Sequence, residues 1–224
     1  MRDTLRLIRP ILLVGLAVSA MPTQAALSVL ACEPEWAALA NELGGERVKA
    51  FSATTANQDP HHIQARPSLL AKARNADLVV CTGAELEVGW LPILLRESGN
   101  ARIQPGRPGY FEAAGLVALI EKPARLDRAE GDVHPAGNPH IQTDARNFGP
   151  VAAALAQRLS EVDPGGAAYY ASRRADFDRR WTAALSRWQQ QAAPLRGMPV
   201  VSQHKAFAYL YRWLGLREVA VLEP

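Results

Sequence analysis

The chain has 224 residues, with 25 Lys and Arg against 22 Asp and Glu for a net charge of +3, and only two cysteines and five histidines. Roughly 200 residues beyond a leader can bury a sizeable core, in one large domain or in one domain plus part of another. The arginines are scattered rather than clustered, which argues against a nucleic-acid partner.

The first 25 residues read as a secretory signal. Arg2, Arg6 and Arg9 supply positive charge, and Ile11 to Val18 is an apolar run too short to span a bilayer. Met21-Pro22-Thr23-Gln24-Ala25 follows, with cleavage expected after Ala25. No later segment has transmembrane length, so an exported, soluble protein is expected. Val29-Leu30-Ala31-Cys32 resembles a loose lipobox that would make Cys32 a lipid anchor, but Pro22 and Gln24 interrupt its approach. Leu27 to Ala31 reads better as a buried strand.

A helix is expected through Glu35 to Leu43, closed by Gly44-Gly45, and then a second strand over Val48 to Ser52. Pro67 to Asn75 reads as a short helix and Ala76 to Cys81 as a third strand. This alternation predicts a parallel sheet covered by helices, with ligands bound beyond the carboxyl ends of the strands. Residues from about 103 to 138 are rich in Pro, Gly and charge, and read as irregular connection with a short helix near Phe111 to Ala118. Asn147 to Ala193 is strongly helical, broken only at Asp163 to Gly166. Its second half would be on the order of 40 Å long at 1.5 Å per residue. Tyr169, Phe177, Trp181, Leu185 and Trp188 share one face of it as packing residues. Met198 to Ser202 begins a new strand, Phe207 to Leu214 a helix capped by Gly215, and Glu218 to Leu222 another strand.

Cys32 and Cys81 both end apolar strand-like runs. An even pair in an oxidising compartment favours a disulfide, with two buried thiols or thiolate ligation of a metal as alternatives.

The histidines carry the chemistry. His61, His140 and His204 lie in three separate loops, and neutral imidazoles converging on one point suit zinc or a similar borderline-soft ion. His62 is adjacent to His61, so on an extended loop the two rings diverge, one binding while the other faces solvent or supports it from outside the ligand set. His134 and His140 share one Gly/Pro-rich loop and compete for a single role. A ligand imidazole usually donates its other N–H to an acceptor, a part open to Asp59, Glu85 or Glu87, though Glu85 reads better as a helix-start charge. Trp90, Trp181, Trp188 and Trp213 read as core or lobe-contact residues. There is no convincing Ser-His-Asp order or phosphate-cradling loop.

Taken in order, Asp59-Pro60-His61, Ala76 to Val80 leading to Gly83-Ala84-Glu85-Leu86-Glu87, Gly131-Asp132-Val133-His134 with Asn138-Pro139-His140, the long helix, and His204 before Phe207-Ala208-Tyr209 resemble one family. It is that of the zinc-binding receptors of ATP-binding-cassette importers, among the periplasmic solute-binding proteins. Each motif alone is weak, and the ordered set, spanning almost the whole mature chain, is specific. The resemblance implies an α/β, two-lobed periplasmic-binding-protein fold, with parallel sheets joined by one long rigid helix and a second lobe left incomplete. The corresponding segments would be a signal peptide at 1–25, a metal-binding lobe at 26–164, a backbone helix at 165–196 and the start of a second lobe at 197–224.

The resemblance selects His61, His140 and His204 as the metal ligands, His61 and His140 from the first lobe and His204 from the second. His134 is left as a surface or structural histidine. Zn2+ would be the transported ion and an inner-membrane ABC permease the partner, with the receptor monomeric, periplasmic and not an enzyme. Manganese members of the family look like two histidines and two carboxylates, so a third histidine shifts preference toward zinc. The family's fourth, acidic ligand comes from the distal part of the second lobe, past Pro224, so either the chain is a fragment or water closes the site; Ile141-Gln142 stands where many relatives carry an aromatic residue nearby, and the histidine-rich loop of some zinc receptors is missing. Two other readings are an exported zinc hydrolase, with Glu33 or Glu87 as general base, and an adhesin or metal-storage protein on the same fold.

Overall fold

A computed structural model describes residues 25–125 and 133–223. The expected leader therefore lies outside the described residues. Four parallel strands, β1 (Leu27–Ala31), β2 (Val48–Ser52), β3 (Leu78–Cys81) and β4 (Tyr110–Glu112), form one sheet in the order β2-β1-β3-β4. Three helices, α1 (Pro34–Gly44), α2 (Pro67–Asn75) and α3 (Leu91–Ser98), alternate with these strands, and α4 (Phe148–Val162) follows. The long helix α5 (Ala167–Ala192) then leads to a two-stranded parallel sheet of β5 (Pro199–Ser202) and β6 (Arg217–Val221), joined by α6 (Ala208–Leu214).

The central strands are apolar on both faces, and their alternation divides the core in two. Val29, Ala31, Leu78 and Val80 pack with Trp36, Leu155, Leu159 and Phe177 on the α1, α4 and α5 side. Leu30, Cys32, Val79 and Cys81 pack with Leu69, Trp90 and Leu94 on the α2 and α3 side. A parallel sheet buried on both faces needs this kind of continuous apolar strand, because each side chain in turn meets a helix layer. Edge strand β2 instead alternates, with Phe51 42 % exposed.

Most elements lie where the sequence places them, with two differences. Phe111 sits in strand β4 and not in a helix; only Ala114–Leu116 makes a turn of 3-10 helix. The run Tyr110-Phe111-Glu112 pairs with Val79-Val80-Cys81, so tertiary pairing outweighs a weak local pattern. Helix α3 was not expected at all. Pro92 stands at its first turn, where the missing N–H costs nothing, and Gly99 closes it at φ 64°.

Cys32 and Cys81 form a disulfide between the ends of β1 and β3. This selects the disulfide among the three alternatives and leaves Cys32 no thiol for a lipid anchor. Helix α5 is fixed to the first lobe by Arg173 and Arg180, both on Glu42 of α1, while Arg47 and Tyr170 converge on the buried Asp163. Phe177 is buried on it and Trp181 stacks on Phe177, whereas Trp188 is 39 % exposed. No described helix is long and apolar enough to cross a membrane.

Candidate metal centre

Each histidine is delivered by a loop that the fold holds in place. His61 follows β2 at the carboxyl edge of the sheet. Asp59 accepts hydrogen bonds at one oxygen from the His61 backbone N–H (2.9 Å) and from ring Nδ1 (2.7 Å). Nδ1 therefore carries the proton, and Nε2 turns its lone pair inward. Trp90 donates from Nε1 to the Pro60 carbonyl at 2.8 Å, and Gly89 lies so close that a Cβ there would meet the His61 carbonyl oxygen at 2.9 Å. Trp90 is buried in the core and has a second task that its sequence position does not reveal, holding the first histidine loop.

His140 is held from behind by Asn138, whose side-chain oxygen accepts the His140 N–H at 2.9 Å. The same amide donates to the Lys205 carbonyl of the second lobe at 2.7 Å, and Tyr209 donates to the Asn138 carbonyl at 2.6 Å. His204 follows β5 at the carboxyl edge of the second sheet, with Nδ1 3.7 Å from a Glu223 oxygen. The carboxyl edges of both sheets thus face one cleft.

The candidate donor atoms of His61, His140 and His204 all lie within 4.8 Å of one another. His140 Nε2 and His204 Nε2 are 3.3 Å apart, and the ring of His61 stands 5.4 Å and 5.6 Å from theirs. Burial, followed by the neighbouring imidazoles of His61, His204 and His134, pushes the His140 pKa down to about 3. It is neutral at physiological pH, which is the state a metal ligand requires. Burial pulls the Asp59 carboxyl upward, but the hydrogen bonds from His61 outweigh it and hold Asp59 below its ordinary value.

Other residues divide clearly. His62 is exposed, its ring edge-on to that of His61 with centroids 6.0 Å apart. His134 is not a remote surface histidine: its Nε2 lies 3.2 Å from His61 Nε2, and it lines the same cavity of about 290 Å³ as His140 and His204. Of the three acids, only Asp59 orients an imidazole. Glu85 is exposed, with φ at 68°. Glu87 is buried and accepts from the Thr82 and Gly83 N–H groups at 2.7 and 3.1 Å. Glu33 accepts from Thr82 Oγ1 at 3.0 Å. Burial raises both carboxyls of this adjoining pair, Glu87 to about 7. Neither has a hydrogen bond to a histidine among the described residues.

Residues 29–224 match the model of the family described as zinc-uptake complex component A, periplasmic. The chain belongs to this family. The family is one of substrate-binding receptors rather than enzymes. Among curated relatives, the chain is 26 % identical over 144 residues to the metal ABC transporter substrate-binding lipoprotein ScbA of Streptococcus cristatus, covering 64 % of this chain and 44 % of that one. It is 23 % identical over 206 residues to the manganese ABC transporter substrate-binding lipoprotein PsaA of Streptococcus pneumoniae, covering 88 % of this chain and 62 % of that one. The chain thus spans between 44 % and 62 % of these relatives' length. Among solved structures, a zinc-bound deletion mutant of ZnuA superposes with a TM-score of 0.74 at 23 % identity, over 88 % of this chain and 70 % of that one. This establishes the two-lobed α/β fold expected from the sequence.

Proposed function

We propose that this chain is the metal-capturing receptor of an ABC importer, exported across the inner membrane, that takes Zn2+ into the cleft between its lobes and delivers it to a membrane permease. His61, His140 and His204 are the metal ligands in this reading, and the receptor acts as a monomer. One observation carries it: imidazoles from three loops, two on the first lobe and one on the second, bring their donor atoms within 4.8 Å of one another. A cation binding there draws ligands from both lobes, so capture and lobe position are linked, as delivery to a permease requires.

The relatives include proteins named for manganese and for zinc. The donor set supports zinc. Neutral nitrogens suit a borderline-soft tetrahedral ion, whereas manganese prefers harder oxygen ligands. Competition titration against a chelating dye, with manganese in parallel, tests the reading on the protein from Ala26 onward. We expect one zinc per chain and weaker manganese binding, with H61A, H140A and H204A each losing orders of magnitude in zinc affinity. A triple alanine variant with intact affinity would remove the site from consideration. Tighter binding of manganese than zinc would overturn the ion assignment.

A further inference from the structure

We propose that Glu223 is the positioning residue for His204, holding the ring proton on Nδ1 so that Nε2 keeps its lone pair for the metal. This rests on the reading of His204 as a metal ligand. The two nitrogens of the ring have different neighbours. Nε2 lies 3.3 Å from His140 Nε2, where the donor atoms of the three histidines converge. Nδ1 lies 3.7 Å from Glu223 Oε2. A carboxylate beside one ring nitrogen favours the proton there, and the other nitrogen is then the one that can bind a cation. His61 has the same arrangement, with Asp59 at Nδ1.

The two carboxylates reach their histidines by different routes. Asp59 acts within the loop of His61 itself. Glu223 is delivered by strand pairing, because the parallel ladder continues past the ends of β5 and β6. The Leu222 N–H donates to the Ser202 carbonyl at 2.9 Å, and the Glu223 N–H to the Gln203 carbonyl at 2.8 Å. Register alone therefore sets Glu223 beside the residue that precedes His204. Gln203 Nε2 also donates to Glu223 Oε1 at 2.8 Å, which anchors one carboxylate oxygen and leaves Oε2 as the one nearer the ring. Glu218, the other acid of these two strands, is engaged by Ser202 Oγ instead. The separation of 3.7 Å is an ion-pair contact, longer than a direct hydrogen bond of about 2.7–3.2 Å, and one bridging water or a shift of roughly 0.5 Å completes the link.

The test compares wild type, E223A, E223Q and E218Q by two readouts. Nitrogen-15 NMR of the metal-free proteins, with H204A to assign the ring, reports which nitrogen of His204 carries the proton. Dye-competition titration with Zn2+ reports affinity. Wild type should hold the proton on Nδ1, and E223A should move part of it to Nε2. Loss of an outer partner typically costs 10–100-fold, and Glu223 is 49 % exposed, so E223A should weaken zinc binding by about three- to tenfold. E223Q keeps an oxygen acceptor and should restore most of both properties. E218Q removes the same charge from the same strand and should match wild type. An unchanged tautomer and affinity in E223A overturn the positioning role and leave the three-histidine receptor standing. Equal losses in E223A, E223Q and E218Q also overturn it, because charge alone would then act. Failure of wild type to bind zinc overturns the receptor reading, and the metal-free tautomer still judges Glu223. Thermal melts verify that the variants compared are folded.

Discussion

Asp59 offers the sharpest test of the proposed metal centre. One carboxylate oxygen accepts both the backbone N–H and the ring Nδ1–H of His61, at 2.9 and 2.7 Å. It thereby fixes the ring's orientation and its tautomer. Loss of such an outer partner typically costs 10–100-fold in metal affinity. Asp59 is 53 % exposed, so solvent screens its charge and the lower end applies. D59A should therefore weaken zinc binding by about tenfold, or about 1.4 kcal/mol. D59N keeps an oxygen acceptor for both N–H groups and loses only the charge, so its loss should be smaller, roughly threefold. Dye-competition titrations on the two variants and wild type measure both losses, and thermal melts of the metal-free proteins verify that the fold is unchanged. Equal losses in D59A and D59N would refute the orientation argument, because charge alone would then carry the effect. Wild-type affinity in D59A would refute any role for Asp59.

Four further predictions concern the framework and the histidines it holds. The disulfide closes a loop with a sequence separation of 49, and chain entropy for that loop length gives about 4 kcal/mol of stabilisation; the C32A/C81A double variant should lose about this much in urea unfolding, and an unshifted midpoint would contradict it. Burial raises the Glu87 pKa to about 7, above its unfolded value, so its contribution to stability is present below pH 4.5 and is lost as pH rises through about 7. E87Q should consequently gain melting temperature relative to wild type at pH 8 more than at pH 5, and a difference independent of pH would show that Glu87 does not titrate in this range. His140 acts in the opposite sense: its pKa of about 3 in the folded state means that stability falls as pH drops below 6.5, and H140A should lose that acid sensitivity in metal-free melts. Asn138 is buried and bonds both His140 and Lys205, so N138A should cost about 1–3 kcal/mol in stability and also weaken zinc binding. Stability lost with affinity unchanged would show that the amide braces the lobes without positioning His140.

What the sequence determined by itself was set by local pattern. Apolar runs fixed β1, β2 and β3, proline and glycine marked helix ends, and an unbroken helical stretch after Gly166 announced α5. The loops carrying His61, His140 and His204 were legible because histidine is scarce here and each lies beside turn-forming residues. Tertiary structure decided the rest. Strand β4 exists because Tyr110-Phe111-Glu112 finds an open edge on β3, a partner that local pattern cannot supply. The Cys32–Cys81 bond depends on β1 and β3 lying side by side, which puts their Cα atoms 4.8 Å apart. His134 is the clearest case. Spacing along the chain makes it a competitor of His140, whereas the fold sets its Nε2 3.2 Å from that of His61, 73 residues away. Distances between these imidazoles are properties of folded loops, and for His61 the packing of its loop against Trp90 and Gly89 fixes them.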